Sequence, residues 1–387
     1  MSISAPTIFL VAGEVSGDIL AAELATEIRR LAPAAALLGV GGARMAAAGV
    51  RVLEDSTAWG VIGYVEPLLR IRTYLRRLAR VEAAVRAAHP AVLVLIDFAA
   101  FNLRLAERLG GFAPVAYYAP PMVSVRRGDR ARKVARVGMH LLALLRREAD
   151  AYTAAGADVV FVGHPAVDLA ARVPQPAQAR AQLGLPSGHY VVGLLPGSRL
   201  QEIRAHLPVL LRAAELVERA EPRTVFVLPV PSGEIGAEVR REVEERRSPV
   251  RVVEESHAAM RASDVLAAST GTATLEAAVL GVPMVGVYRL PALSWAIVTR
   301  VVTVRLAALP NILAGREIVP ELLQDRLTPE ALAAELLALL RAPSRREAMR
   351  AELLAVASGL GPPGAASRAA AEVLRLTGHV AAAEGGR

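Results

Sequence analysis

The sequence predicts an α/β protein built from two doubly wound domains that face a cleft. Short apolar runs alternate with helical patterns along most of the chain, as in parallel sheets covered by helices. The alternation stops once, in a stretch rich in Pro and Gln over residues 172–186, and then restarts. A length of 387 residues also favours two domains. We therefore expect a first domain over residues 1–172 and a second over residues 187–344.

Five apolar runs of the first domain are expected to form strands. Residues 91–96 are almost continuously apolar, as a strand buried on both faces should be. Residues 8–12 precede a helical pattern that starts at about Asp18 and repeats its apolar residues on one face. The other three runs are 37–40, 115–118 and 159–162.

The second domain repeats this organisation. Its expected strands are 190–195, 224–228, 250–253, 265–268 and 284–287, with helices between them such as 201–220. Open α/β sheets bind their ligands outside the carboxyl ends of the strands. Residues with catalytic or binding roles should therefore lie on loops that follow strands.

The composition excludes several classes of protein. The chain has 45 basic and 37 acidic residues, a net charge of +8. Without cysteine there is no disulfide framework, no thiolate metal site and no cysteine nucleophile. No metal motif or G-x-S-x-G elbow occurs, and the histidines at 140, 164, 189 and 206 are isolated in sequence. Nucleic-acid binding is disfavoured, because the few aromatic residues are not interleaved with the basic ones.

The expected location is the cytoplasm. The N-terminus lacks the basic region of a secretory signal, and no apolar run approaches the ~20 residues of a membrane span. A basic helix over residues 67–88 follows apolar residues from Val61 onward, a mixture typical of contact with anionic lipid at the inner face of the cytoplasmic membrane. A second basic cluster spans residues 126–136. A solvated charged face is the alternative for both.

The loop after the first strand reads AGEVSGD, residues 12–18. Gly13 and Gly17 permit a tight turn into the helix, whose free N–H groups, with the Ser16 hydroxyl, are expected to face a substrate. Glu14 places an acid at the end of the strand. The alternative is a purely structural loop in which Asp18 caps the helix.

A second acid, Asp97, ends the buried run 91–96. A carboxylate at that position can act as a general base, because burial raises its pKa and a nearby Arg lowers it. The alternative is that Asp97 only caps the following helix.

Two loops of the second domain favour a phosphate ligand. The first, LPGSR, ends in Ser198 and Arg199, a hydroxyl and a bidentate donor at a helix start, and it lacks the Lys of an ATP-binding loop. The second, ASTGTATLEA, offers Gly271, Thr272 and Thr274 at another helix start. Glu276, one turn further on, can accept hydrogen bonds from a ribose. The alternative for the second loop is a helix capped by Thr272 with Glu276 on the surface.

These segments resemble the lipid-A-disaccharide synthase family, inverting glycosyltransferases with two Rossmann-like domains (GT-B). The matching segments follow the family's order and span most of the chain. They are AGEVSGD (12–18), GVGGARM (39–45), LIDFAAFNLRLAERL (95–109), FVGHP (161–165), LLPGSRLQEI (194–203), ASTGTATLEAAVLGVPMVGVYR (268–289) and LPNILAGREIVPELLQ (309–324).

The resemblance implies transfer of a 2,3-diacylglucosaminyl group from UDP to the 6-hydroxyl of 2,3-diacylglucosamine 1-phosphate, with release of UDP and without a metal or cofactor. Asp97 would deprotonate the acceptor, Glu14 would lie near it, and Arg199 would offset the charge on the departing UDP. The donor would be bound through its diphosphate and ribose. The residues assigned to the donor are Ser198, Arg199, Gly271, Thr272, Thr274 and Glu276, and two further site positions are Asn311 and Gln324. The resemblance also implies that the C-terminal helices, from about residue 345, pack back on the first domain.

The departures from the family concentrate in the first domain. The acid that the family has near residues 98–101 is missing, and so are the tryptophans that it has near residues 117–126. The family's LPFE is replaced by ALLR at residues 143–146. Three alternatives therefore remain: a UDP-sugar transferase with another acceptor, a non-catalytic UDP-sugar binder, and an enzyme similar to UDP-N-acetylglucosamine epimerases. No oligomeric state is implied.

Overall fold

The computed structural model describes residues 5–57, 59, 71–124, 129–230, 233–291, 295 and 306–378. The strands are β1 (Thr7–Ala12), β2 (Ala36–Gly41), β3 (Arg51–Asp55), β4 (Val92–Ile96), β5 (Val115–Tyr118), β6 (His140–Ala143), β7 (Val159–Phe161), β8 (Tyr190–Leu195), β9 (Thr224–Pro229), β10 (Val250–Val253), β11 (Val265–Ser269), β12 (Met284–Tyr288) and β13 (Glu321–Leu323). The helices are α1 (Glu14–Leu31), α2 (Ala43–Ala47), α3 (Ile71–Ala88), α4 (Ala99–Leu109), α5 (Arg130–Ala135), α6 (Arg146–Ala154), α7 (Ala166–Arg172), α8 (Pro176–Gln182), α9 (Leu200–Ala220), α10 (Glu234–Glu245), α11 (Ser256–Ala262), α12 (Thr272–Val279), α13 (Leu309–Ala314), α14 (Pro329–Arg341), α15 (Pro343–Ser358) and α16 (Ala365–Leu376).

The strands form two parallel sheets, which confirms the predicted α/β class. The first has seven strands in the order β3-β2-β1-β4-β5-β6-β7, and the second has six in the order β10-β9-β8-β11-β12-β13. Each sheet is doubly wound, because its first strand lies inside the sheet and the order reverses there. Central strands such as β4 are buried along their whole length, as the continuous apolar run predicts.

Three strands escape the sequence patterns. β3 lies at a sheet edge and alternates exposed with half-buried residues, so it lacks an apolar run. β6 begins with a buried histidine, and β13 has only three residues. The first helix also begins four residues before the expected start at Asp18, because Gly13 is extended and the chain turns directly after it.

The chain divides into two compact units that differ from the predicted boundaries. Among the described residues, the first unit runs to Pro165 and resumes at Leu360, and the second begins at Ala166 and ends at Gly359. The stretch expected to be a linker contributes α7 and α8, which pack on α12 and α11 within the second unit. α15, expected to pack on the first domain, packs instead on α12, α13 and α14 of the second. Of the described helices that follow β13, α16 alone joins the first unit, where it packs on α1.

Candidate active site

The strand order places the candidate loops at the reversal point of each sheet. In the first unit β1 and β4 are neighbours, with Ala12 opposite Ile96, so Gly13 and Asp97 follow adjacent strand ends. In the second unit β8 and β11 are neighbours, with Leu195 opposite Ala268. Doubly wound sheets bind ligands outside this point. The loops that carry Glu14 and Asp97, and those that carry Arg199 and Thr272, therefore occupy the expected binding edges of their own sheets.

Strained backbone marks the same edge of the first sheet. Four non-glycine residues that follow strands have left-handed backbones: Glu14 (φ 62°), Asp97 (φ 48°), Phe98 (φ 46°) and Ala119 (φ 58°). Each such residue costs about 1–3 kcal/mol and persists only where its surroundings hold it. β1, β4 and β5 are consecutive in the sheet, so the strain is concentrated at three adjacent strand ends.

Asp97 does not occupy the N-cap position of the following helix. The residue in the N-cap position of α4 is Phe98, without a side-chain capping bond. The carbonyl of Asp97 accepts hydrogen bonds from the Tyr117 hydroxyl (2.8 Å) and from Asn102 Nδ2 (2.9 Å). Sequence reasoning missed both partners, because each reads as an ordinary residue of a strand or a helix.

Gly13 has a steric role toward the neighbouring loop. A Cβ at this position would lie 2.4 Å from two ring atoms of Phe98. The ring of Phe98 stacks on Phe101, with a centroid distance of 5.2 Å. Gly13 therefore makes room for the aromatic side chain next to Asp97, and the two loops interlock.

The remaining predicted residues of this loop divide into two groups. Glu14 and Ser16 are half-buried, and Gly17 is buried within α1. Asp18 does not cap its own helix, since it is only 3% exposed inside α1. Its carboxylate instead accepts the backbone N–H groups of Gly42, Arg44 and Met45 and so caps α2.

Sequence reasoning missed Glu148, a buried acid in the first turn of α6, because the family's LPFE was set on residues 143–146. It is 3% exposed, and its carboxylate accepts the backbone N–H groups of Val123 (2.6 Å) and Ser124 (3.2 Å) beyond β5. If the family's LPFE is set on residues 145–148 instead of 143–146, its leucine and its acid are both retained. Glu148 thus holds the segment in which the family's tryptophans are missing.

In the second unit, Glu202 shapes the LPGSR loop. Its carboxylate accepts the backbone N–H of Ser198 (3.2 Å) and lies 3.4 Å from Arg199 Nη1. Gly197 has φ 119°, and a Cβ there would lie 2.5 Å from Glu202 Oε2. The loop consequently presents Ser198 and Arg199 as exposed residues at the start of α9.

The Gly/Thr loop is not capped by Thr272, because Gly271 occupies the N-cap position and Thr272 is the first, exposed residue of α12. Thr274 is fully buried, and its hydroxyl donates to the Gly271 carbonyl (2.7 Å) and accepts the N–H of Leu309 (3.3 Å). Glu276 is half-buried, with its carboxylate 3.4 Å from His257 Nε2.

The side chain of Asn311 makes its hydrogen bonds within the segment that leads into β13. It is fully buried; Nδ2 donates to Val319 O (2.9 Å) and Glu321 (2.7 Å), and Oδ1 accepts from Ile318 N (2.7 Å) and Val319 N (2.9 Å). These four bonds use all the donors and acceptors of its amide. The structure therefore gives Asn311 the role of shaping the chain before β13.

Gln324 lies directly after β13 and is strained. Its backbone is left-handed (φ 53°), and its Oε1 accepts the N–H of Leu290 (3.2 Å). Its Nε2 is buried without a hydrogen-bond partner among the described residues. A buried free donor and a strained backbone commonly mark a functional position.

His206 links the loops after β8 and β12. Its Nε2 accepts the backbone N–H of Arg289 (2.9 Å), so the proton resides on Nδ1, which donates to the carbonyl of Pro196 (2.7 Å). Burial lowers the pKa of His206, which keeps this neutral tautomer. Burial also raises the pKa of Tyr288, whose ring lies 5.5 Å from the imidazole. The isolation of His206 in sequence gave no sign of this link.

The described residues contain no cluster of three or more His, Cys, Asp or Glu side chains suited to a metal ion. Within the same part of the chain, no helix combines the length and apolarity needed to cross a bilayer.

Comparison with known proteins identifies the family. The model of the lipid-A-disaccharide synthetase (LpxB) family matches residues 8–367. The chain belongs to the lipid-A-disaccharide synthetase family. It is similar to the lipid-A-disaccharide synthase of Anaeromyxobacter dehalogenans, with 41% identity over 371 residues that cover 95% of this chain and 96% of that protein. The predicted family and the predicted glycosyltransferase class are confirmed.

Solved structures share the fold at low identity. The S. aureus MnaA–UDP complex has a TM-score of 0.68 at 11% identity and covers 95% of this chain and 96% of that chain. The UDP-GlcNAc 2-epimerase from Neisseria meningitidis bound to UDP-GlcNAc has a TM-score of 0.64 at 12% identity, with 95% and 98% coverage. These similarities establish the fold of two doubly wound units that lipid-A-disaccharide synthetases share with UDP-sugar enzymes.

Proposed function

We propose that the chain transfers a 2,3-diacylglucosaminyl group from UDP to the 6-hydroxyl of 2,3-diacylglucosamine 1-phosphate. The acceptor oxygen attacks the anomeric carbon, its proton passes to a carboxylate, and the bond to UDP breaks with the electron pair leaving on the diphosphate. The observation that carries the proposal is the family match over residues 8–367, together with an acid held in a strained turn at the reversal point of the first sheet.

Asp97 is the proposed base. It follows β4, which is fully buried, and its backbone is fixed by two hydrogen bonds to its carbonyl, so the carboxylate is presented at a defined position. A fixed base avoids reorganisation in the transition state. Glu14, on the neighbouring strand end, is assigned to the acceptor side, with Ser16 beside it.

The second unit is assigned to the donor. Ser198, Arg199 and Thr272 are exposed at the starts of α9 and α12, where free backbone N–H groups favour an anionic diphosphate. Arg199 offsets the charge that develops on UDP as it leaves. Thr274 and Asn311 support the loops rather than offering free groups, and Glu276 and Gln324 remain the candidates for the nucleoside.

The test is UDP release from the diacylated donor and acceptor. Asp97→Asn should lower kcat by about 100-fold or more with little change in UDP affinity, because general-base catalysis contributes about 10²–10⁴-fold. Arg199→Ala should lower both kcat and UDP affinity. Arg204→Ala is the matched control, since Arg204 lies in the first turns of α9, the helix that follows Arg199, is exposed and pairs with Glu238. Equal turnover in all four proteins would refute the mechanism.

The same assay separates the alternatives. A non-catalytic binder predicts tight UDP binding without transfer to any acyl-glucosamine acceptor. An epimerase predicts turnover of UDP-N-acetylglucosamine without an acceptor, and an unchanged donor after long incubation excludes it. The likeness to epimerases is a likeness of fold, whereas the match over residues 8–367 is to the transferase family.

We also propose that the protein binds anionic membrane surfaces through the start of α3. Ile71 and Leu75 are 46% and 48% exposed there, and Arg72 and Arg76 are exposed beside them. The rest of the expected surface, residues 61–70, and positions 126–128 of the second basic cluster lie outside the described residues. Apolar side chains flanked by arginines suit the interface of anionic lipid.

Sedimentation with phosphatidylglycerol vesicles tests this surface. Arg72→Ser with Arg76→Ser should weaken binding by about 30-fold, because each cation contributes about 1 kcal/mol near an anionic surface. Arg241→Ser with Arg246→Ser, at the C-terminal end of α10, is the control for net charge. Equal losses in both double variants would show only non-specific charge attraction.

A further inference from the structure

Beyond the groups that contact substrate, the turn that carries Asp97 is held by two buried side chains. Asn102, on α4, and Tyr117, on β5, are both fully buried. Both donate to one atom, the carbonyl oxygen of Asp97, at 2.9 Å and 2.8 Å. The backbone N–H of Asp97 donates in turn to the carbonyl of Tyr118 (3.0 Å), so both polar groups of its main chain are fixed.

Asn102 also ties the two candidate loops of the first sheet together. Its Nδ2 lies within hydrogen-bond distance of three carbonyls: Val11 (3.4 Å), Ile96 (3.1 Å) and Asp97 (2.9 Å). Val11 belongs to the end of β1, just before the loop of Glu14, and Ile96 ends β4. A single amide thus sets the position of the β1 end relative to the turn at Asp97.

The arrangement of Asn102 is not the most stable choice for a buried side chain. Its Oδ1 is buried without a hydrogen-bond partner among the described residues, a loss that an apolar side chain of similar size would avoid. The three carbonyls around Nδ2 fix the orientation of the amide. If the amide were flipped, Oδ1 would face three carbonyl oxygens and could not accept a hydrogen bond from any of them. The buried oxygen without a partner lies next to the strained turn of Asp97. Both features cost stability, and such costs are expected where a side chain must be held in a particular position.

We propose that Asn102 and Tyr117 are positioning residues that hold Asp97 in its left-handed conformation and so place the catalytic carboxylate. This inference rests on the proposed role of Asp97 as the base. Without the two donors, the backbone of Asp97 relaxes toward the extended or right-handed regions, and its carboxylate leaves the acceptor hydroxyl.

Tyr117→Phe and Asn102→Leu test the proposal, because each roughly keeps the size of the buried side chain and removes the donor to the Asp97 carbonyl; Asn102→Leu also removes Oδ1, which has no hydrogen-bond partner among the described residues. We expect kcat to fall by about 10-fold to 100-fold, the loss typical of a catalytic group displaced by about 1 Å, with KM for the donor and UDP affinity unchanged. Ser263→Ala is the matched control. It loses a buried hydroxyl-to-carbonyl bond of 2.7 Å at the amino end of β11, and it should keep the wild-type kcat.

A double-mutant cycle distinguishes positioning from general damage. In an Asp97→Asn background, neither Tyr117→Phe nor Asn102→Leu should lower the residual rate further, because both act through the carboxylate. Equal losses in both backgrounds would overturn the inference, and so would wild-type turnover in both single variants while Asp97→Asn is inactive. Wild-type turnover of Asp97→Asn itself would refute the proposed base instead, so the two failures are distinguishable.

Discussion

Replacement of Gly13 by alanine tests the interlock between the two loops of the first sheet. The backbone of Gly13 is extended (φ −126°, ψ 157°), so alanine can adopt it without strain. The obstacle is the ring of Phe98, whose Cγ and Cδ1 would lie 2.4 Å and whose Cδ2 would lie 2.8 Å from the new Cβ. An ordinary contact is about 3.5–4.0 Å, so the ring must move by about 1 Å or more.

The expected loss of stability follows from this clash. Overpacking by a methyl group costs about 1–3 kcal/mol, and loss of the stacking between Phe98 and Phe101 adds about 0.5–1.5 kcal/mol. Alanine also lowers the conformational entropy of the unfolded chain relative to glycine, which stabilises the folded state by about 0.4–1 kcal/mol. The net change is a destabilisation of about 0.5–4 kcal/mol. Because Phe98 directly follows Asp97, kcat should fall as well.

Urea unfolding followed by the fluorescence of Trp59 provides the measurement. Trp59 is 6% exposed and lies 5.5 Å from Phe101, so in a Trp295→Phe background it reports on the first unit. Gly17→Ala is the matched stability control. Gly17 lies inside α1, and a Cβ there would lie at an ordinary contact distance of 3.5 Å from Cβ of Ala12. The substitution should therefore stabilise the first unit by about 0.5–1 kcal/mol, because alanine favours a helix more than glycine does.

Removal of the obstructing ring completes the test. Adding Phe98→Ala to Gly13→Ala should make the two effects less than additive, because the double variant no longer contains the clash. A Gly13→Ala variant as stable as Gly17→Ala would refute the predicted clash, and so would strict additivity of the substitutions at 13 and 98.

Three further predictions concern other parts of the molecule. Gly197→Ala should weaken UDP binding by calorimetry, because the residue has φ 119° and its Cβ would meet Glu202; wild-type affinity would contradict the assigned loop geometry. Burial lowers the pKa of His164 to about 4, so its contribution to stability is complete above an unfolded pKa near 6.5. As pH falls from there to about 4, the free energy of unfolding should decline by up to about 1.4 kcal/mol per pH unit relative to His164→Gln, and parallel pH curves would count against this. Thr328→Ala should destabilise by about 1 kcal/mol in thermal unfolding, because Oγ1 of Thr328 caps α14 through Ala331 N, whereas Thr328→Ser should not.

Most strands of the fold were predictable because their signal is local. β8 and β10 begin and end where the apolar runs do, and β4 differs by one residue at its start. β3 and β6 were not predictable in the same way, since one is a half-exposed edge strand and the other starts with a histidine that pairs with Asp158 (2.7 Å) and Glu372 (3.1 Å). Those pairings depend on contacts that the local pattern does not encode.

The sequence by itself determined the family, the two doubly wound sheets and the loops that hold the candidate residues. It did so because apolar runs, glycine turns and acids at strand ends are all local features, and the parallel topology then brings adjacent strand ends together. Only the tertiary structure decided what individual side chains do. Asp18 caps α2 instead of its own helix, and the amide of Asn311 is fully used in hydrogen bonds to nearby residues. Asn102 contacts a carbonyl of β1 that lies 91 positions away in sequence. A hydrogen bond selects its partner by distance in space, and the chain reveals that distance only when it is folded.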